Sequence, residues 1–174
     1  AIDPPDSDAA SLSAFEAAAR ALLADAPRPI VLADILVDRC HAESQLHELL
    51  GSADLDFACL LWGRRVIDES DERFLGTYVG AASEPGVRRA VESAARLITV
   101  GGHFTDLTSG FFTQHLDDAH RVDLLPHTAT VAGQTFPGIE MRDGLAVLTR
   151  ILGAGHRRHG GPGVAPAVEP VPTH

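Results

Sequence analysis

Two stretches gather the side chains that could do chemistry. In "VGGHFTDLTSGFFT", residues 100 to 113, an apolar run breaks at Gly101-Gly102 and continues through His103, Thr105 and Asp106. Doubly wound folds hold ligands in crevices outside the carboxyl ends of parallel strands, so a glycine pair followed by polar groups is a candidate binding loop. His103 beside Asp106 could orient a ligand or titrate near neutrality. The plainer account, which we favour, is a tight strand exit. The second stretch, "WGRRVIDES", sets Arg64 and Arg65 close to Asp68 and Glu69. Adjacent carboxylates point to different faces, poor geometry for acid-base work on one substrate. An arginine-carboxylate network facing a neighbouring domain fits these residues better.

Composition removes several reaction classes. All 14 basic residues are Arg, which excludes a lysine Schiff base or a P-loop lysine. A formal net charge of -10 repels phosphate backbones and argues against nucleic acid as a partner. A standard dinucleotide fingerprint needs glycines straight after the first strand, where this chain has "ADILVDRC" with none. The nine histidines fall into no zinc-ligand spacing, and no nucleophile elbow or Walker loop is present. No catalytic, cofactor-binding or metal-ligating residue is therefore expected in this chain. Cys40 and Cys59 show no C-x-x-C spacing, and no apolar run reaches the roughly 20 residues of a membrane helix, so a soluble, cytoplasmic protein is expected.

The elements that would position these stretches alternate. Ser13 and Glu16 suggest a capping box for an alanine-rich helix ending near Ala24. "PIVLAD" reads as a buried strand, "RCHAESQLHELLG" as a crossover helix, "DFACLLWG" and "FLGTYVG" as strands, and "EPGVRRAVESA" as a helix. "RLITVGG" and "HRVDLL" supply further strands, and "TATVAGQTFPGI" two short ones around Ala132-Gly133. "MRDGLAVLTRIL" closes as a helix with Met141, Leu145, Leu148 and Leu152 on one face. The predicted class is α/β: a Rossmann-like, mainly parallel sheet in a three-layer α/β/α arrangement with helices on both faces. Residues 1–26 read as linker and first helix, 27–153 as the domain, and 154–174 as a Gly/Pro-rich linker or tail. Two proline-rich flanks and Met141 as the sole methionine suggest a middle portion of a longer polypeptide.

Taken in order, "PIVLADI", "GRRVIDESDERFLGTYVGAASEPGVRRAVESA", "GGHFTDLTSGFFT" and "FPGIEMRDGL" resemble the central domain of thiamine-diphosphate-dependent 2-oxoacid decarboxylases, in particular the pyruvate, indolepyruvate and phenylpyruvate branch. The resemblance covers roughly residues 5 to 153 with matching gaps. It implies a parent enzyme with amino- and carboxyl-terminal domains on the same polypeptide, thiamine diphosphate and magnesium held by those domains, a 2-oxo acid substrate and a homo-oligomer. The family's G-D-G diphosphate motif is missing; Asp143-Gly144 is better read as a helix start.

In relatives such as acetohydroxyacid synthase the corresponding domain binds FAD, which leaves an FAD- or ADP-binding domain as the alternative. The resemblance makes Gly63, Arg64, Arg65, Asp68, Glu69, Gly102, His103, Thr105 and Asp106 candidates for interdomain or regulatory loops. In the family's M-G-K-G-x-x-D-E loop this chain has Arg65 in place of a glycine and Arg64 in place of Lys, which adds bulk and changes the cation's geometry. The cysteine that activates some family members falls here on Leu36, with Cys40 further on.

Overall fold

The computed structural model describes residues 5–24, 26–102, 104 and 113–156. His103, Thr105 and Asp106 lie outside the described residues, as does the expected tail beyond residue 156.

The mainly apolar runs at residues 30–33, 57–59 and 97–100 become strands buried on both faces. β1 (Ile30–Ala33), β2 (Phe57–Cys59), β3 (Phe74–Thr77), β4 (Leu97–Val100) and β5 (Arg121–Leu125) are followed by the alternating pair β6 (Thr128–Val131) and β7 (Gln134–Pro137). They form one sheet of seven strands in the order β3-β2-β1-β4-β5-β6-β7. β1 to β5 are mutually parallel, and β6 and β7 extend the edge as an antiparallel hairpin. Ala132 and Gly133, both at positive φ (47° and 81°), make the hairpin turn. Two consecutive residues at positive φ match the twist of the strands they join.

The α-helices among the described residues are α1 (Ala9–Leu23), α2 (Leu36–Arg39), α3 (Glu43–Ala53), α4 (Pro85–Glu92) and α5 (Met141–His156). α1, α3 and α5 cover one face and α4 packs on β1 and β3 from the other. Val31 and Ala33 of β1 face the larger layer with Phe15, Leu46 and Leu145, while Leu32 faces the smaller with Tyr78, Val87 and Val91. Phe15 is fully buried and meets Phe136 edge to face with ring centroids 6.1 Å apart. Truncating such a side chain to Ala costs about 3–5 kcal/mol. The α/β architecture with helices on both faces agrees with the expectation from sequence. Among the described residues no helix is long and apolar enough to cross a membrane.

Three local details differ from the sequence expectation. α1 starts at Ala9, because Asp8 rather than Ser13 is the cap: its carboxylate accepts from the Ser11 amide at 2.7 Å. Glu16, the supposed partner of the capping box, pairs with Arg20 and Arg150 instead. α5 runs to His156, beyond the "MRDGLAVLTRIL" read as its helix. The segment before α1 is tied down: Ser7 Oγ donates to Asp143 Oδ2 at 2.6 Å and accepts the Glu140 amide at 2.8 Å, and Asp8 N donates to Gly138 O. Ser7 thereby satisfies the amide of Glu140, the residue just before α5.

Candidate functional site

β1 and β4 are neighbours although β2 and β3 come between them in sequence, so strand order reverses at their carboxyl ends. That reversal is where an open α/β sheet offers a crevice for a ligand. Here the chain itself fills it. The Asp34 amide donates to Val100 O at 3.0 Å, and the Val37 amide to Asp34 O at 3.2 Å, which starts α2 directly over β4. Gly101, at φ +64°, has the Val37 nitrogen 2.8 Å and the Leu36 Cβ 3.1 Å from where its own Cβ would be. Only a glycine permits that approach. Asp34 itself is fully buried. A diphosphate group does not fit here: α2 occupies the space above Gly101, and a buried carboxylate sits at the strand end.

The loop after β2 closes on the same end. Leu60, fully buried, donates its amide to Ala33 O at 2.9 Å, and Gly63 lies against the backbone of Ala33 and Asp34. A Cβ on Gly102 would lie 3.9 Å from Leu60 Cδ1 and 3.2 Å from the Phe104 ring. Leu60 thus links the two candidate stretches: Gly63 to Glu69 on one side and Gly102 on the other.

Within the loop, Gly63–Arg65 form one 3-10 turn. Arg64 grips Glu69 with both ends of its guanidinium, Nε to Oε1 at 2.9 Å and Nη2 to Oε2 at 2.7 Å. That bond holds the Glu69 carboxyl below the usual carboxylate range. Asp68 Oδ1 accepts from Ser70 Oγ and the Ser70 amide, at 2.6 and 2.9 Å, and its carboxyl is lowered as well. Both carboxylates are therefore engaged inside the loop, and neither is poised to take a proton. Arg65 is exposed. Val66, 2 % exposed, anchors the far side of the turn, and its carbonyl lies 3.0 Å from His47 Nε2 on α3.

Two features escaped the sequence reading. Leu61 and Trp62, 38 % and 54 % exposed, are the large apolar side chains left in solvent among the described residues. Trp62 followed by Gly63 and two arginines was their signal, obscured by the apolar run before it. On the smaller face, Thr99 is fully buried and donates to Asp123 Oδ1 at 2.6 Å. Burial pushes the Asp123 carboxyl up, against the opposing pull of Thr99 and Arg121.

The family described as "Thiamine pyrophosphate enzyme, central domain" matches residues 16–135. An alpha-keto-acid decarboxylase of Mycolicibacterium paratuberculosis is 44% identical over 163 residues, covering 93% of this chain and 28% of the relative. Proteins of the same description from Mycobacterium avium and Mycobacterium leprae are each 44% identical over 142 residues, covering 82% of this chain and 25% of the relative. The chain spans about a quarter of the length of these relatives.

Proposed function

Because the chain belongs to the family of thiamine pyrophosphate enzyme central domains, we propose that it is the central scaffold and regulatory domain of a non-oxidative 2-oxoacid decarboxylase. The carrying observation is 44% identity across 93% of the chain to a relative named alpha-keto-acid decarboxylase. In this reading amino- and carboxyl-terminal domains of the same polypeptide hold thiamine diphosphate and magnesium and bind the 2-oxo acid. The cofactor supplies the electron sink for loss of CO2, and this domain contributes positioning. The loops around Gly63 and Gly102, with His103, Thr105 and Asp106, face those domains. The parent assembles as a homo-oligomer in the cytoplasm, a setting that the two free thiols support.

The filled crevice between β1 and β4 supports a scaffold over an FAD- or ADP-binding domain. A thermal-unfolding scan of the 174-residue chain with FAD, ADP, NAD and thiamine diphosphate plus magnesium tests that choice. A ligand at 100 times its dissociation constant adds about 2.7 kcal/mol, and at about 2–4 °C per kcal/mol for a chain of this size the midpoint rises by about 5–11 °C. No shift with any of them is expected; a shift with FAD or ADP would overturn the scaffold reading. The longer polypeptide, given thiamine diphosphate and magnesium, should release CO2 from a 2-oxo acid, and failure across a broad panel of such acids would sink the decarboxylase assignment.

A further inference from the structure

Leu61 and Trp62 sit in solvent on a frame that holds them there. Leu60 is fully buried on one side, Gly63 and Val66 are buried on the other, and the Gly63 amide donates to Leu60 O at 3.0 Å. The turn is pressed on the end of β1 so closely that its two middle side chains can only project outward. Such a preformed apolar pair loses little freedom when it is covered. Beside it stands Arg65: Arg64 has taken Glu69, and among the described residues no carboxylate pairs with Arg65. Tryptophan and arginine in one small rigid patch are the residue types that dominate binding energy at protein interfaces.

We propose that Leu61 and Trp62 are the anchor on which a neighbouring domain of the same polypeptide docks, presenting an apolar pocket rimmed by a carboxylate that pairs with Arg65. This rests on the reading that the chain is one domain of a longer thiamine enzyme. Three observations select that occupant. The relatives are about four times as long as the matched region, so further domains are tethered at high local concentration. The segment before α1 reaches the fold beside Gly138 and Glu140, just beyond the carboxyl end of β7, which is the same end of the sheet as Trp62. A second copy of this chain carries the same formal charge of -10 and is repelled.

Trp62 is the sole tryptophan of the chain, so its emission and its quenching by acrylamide read this patch directly. In the 174-residue chain the indole should emit as a hydrated group and be quenched nearly as well as free tryptophan. In the longer polypeptide, labelled with 5-fluorotryptophan, the 19F resonance lost in Trp62→Phe should show a several-fold smaller solvent-isotope shift than in the 174-residue chain. Arg65→Glu, at an exposed position, should restore much of that shift in the longer polypeptide while leaving the unfolding midpoint of the 174-residue chain unchanged. Equal solvent access in both forms overturns the proposal, and so does protection in the 174-residue chain that is lost on dilution, which would assign the patch to a second copy. A polypeptide that protects Trp62 but decarboxylates nothing sinks the functional reading and leaves the docking in place; an active decarboxylase with Trp62 accessible does the reverse.

Discussion

A Cβ placed on Gly63 would lie 2.3 Å from the carbonyl oxygen of Ala33, the same oxygen that accepts the Leu60 amide at 2.9 Å. The loop that carries Leu61, Trp62, Arg64 and Glu69 is thus seated at backbone contact on the end of β1. No flexible side chain stands between the two segments to absorb an added methyl group.

Gly63→Ala should therefore destabilise the protein by about 1–3 kcal/mol, as overpacking against an unyielding neighbour does. Gly51 is the control. It lies inside α3 with nothing within 4 Å of its would-be Cβ, so Gly51→Ala should stabilise by about 0.5–1 kcal/mol through helix propensity alone. Urea midpoints of the two variants should move in opposite directions, and a loss of stability in both would show that Gly63 is not special.

The turn before β3 is held by charge. Arg73 donates to both carboxylate oxygens of Asp71, at 2.9 and 2.6 Å, and to the Leu50 carbonyl in the last turn of α3 at 2.5 Å. The Arg73 bond lowers the Asp71 carboxyl from 3.8 to about 2. A carboxyl depressed on folding adds stability above its unfolded pKa, and that contribution is lost as pH falls from 3.8 towards about 2. With side chains 23% and 24% exposed, solvent weakens the pair, and Asp71→Asn should cost about 1 kcal/mol at neutral pH. Its pH-stability curve should be flatter than the native one in that acid window; an unchanged slope would show that Asp71 contributes nothing there.

Asp123 should behave in the opposite sense. Its carboxyl is raised, chiefly by burial, so the folded protein keeps the proton to higher pH than the unfolded chain does. Stability then falls as pH rises through the folded pKa, because ionising this group in place opposes its desolvation. Asp123→Asn keeps a carbonyl oxygen for the Thr99 hydroxyl and carries no charge. The variant should be more stable than the native chain at pH 7, and the advantage should vanish once acid has protonated the native carboxyl. Equal stability at pH 7 would mean that Arg121 and Thr99 already offset the burial.

These cases also show which parts of the structure could be read from the sequence. Runs such as "PIVLAD" and "RLITVGG" read as strands because residues buried on both faces leave no polar alternation. Ala132-Gly133 read as a turn because the flanking residues alternate. α2 was not legible: four residues of "LVDR" form a helix because they pack over Gly101, a contact between segments far apart in sequence. Leu61 and Trp62 looked like a continuation of β2, yet the strand ends at Cys59 once Leu60 turns its amide to Ala33. The candidate loops were placed at one end of the sheet by the strand order itself. The Arg64 pairing with Glu69 and the Thr99 bond to Asp123 depend on a turn geometry and a strand register that spacing alone does not specify.

The two thiols give a last, simple readout of how tightly this frame is closed. Cys59 ends β2, is fully buried and lies 3.7 Å from Thr77 Oγ1. Burial pushes its thiol up to about 11, so hardly any thiolate forms at neutral pH. Cys40 lies beyond α2, partly exposed, its thiol also raised by burial. A thiol reagent should label Cys40 first and Cys59 only when β2 opens, so the slow phase should track unfolding as urea is added. Gly63→Ala, by loosening the loop over β1 and β2, should speed that slow phase and leave the fast one alone. Two equally fast phases in the native protein would mean that the carboxyl end of the sheet is open to solvent, contrary to the packing of Leu60 and Gly63 upon Ala33.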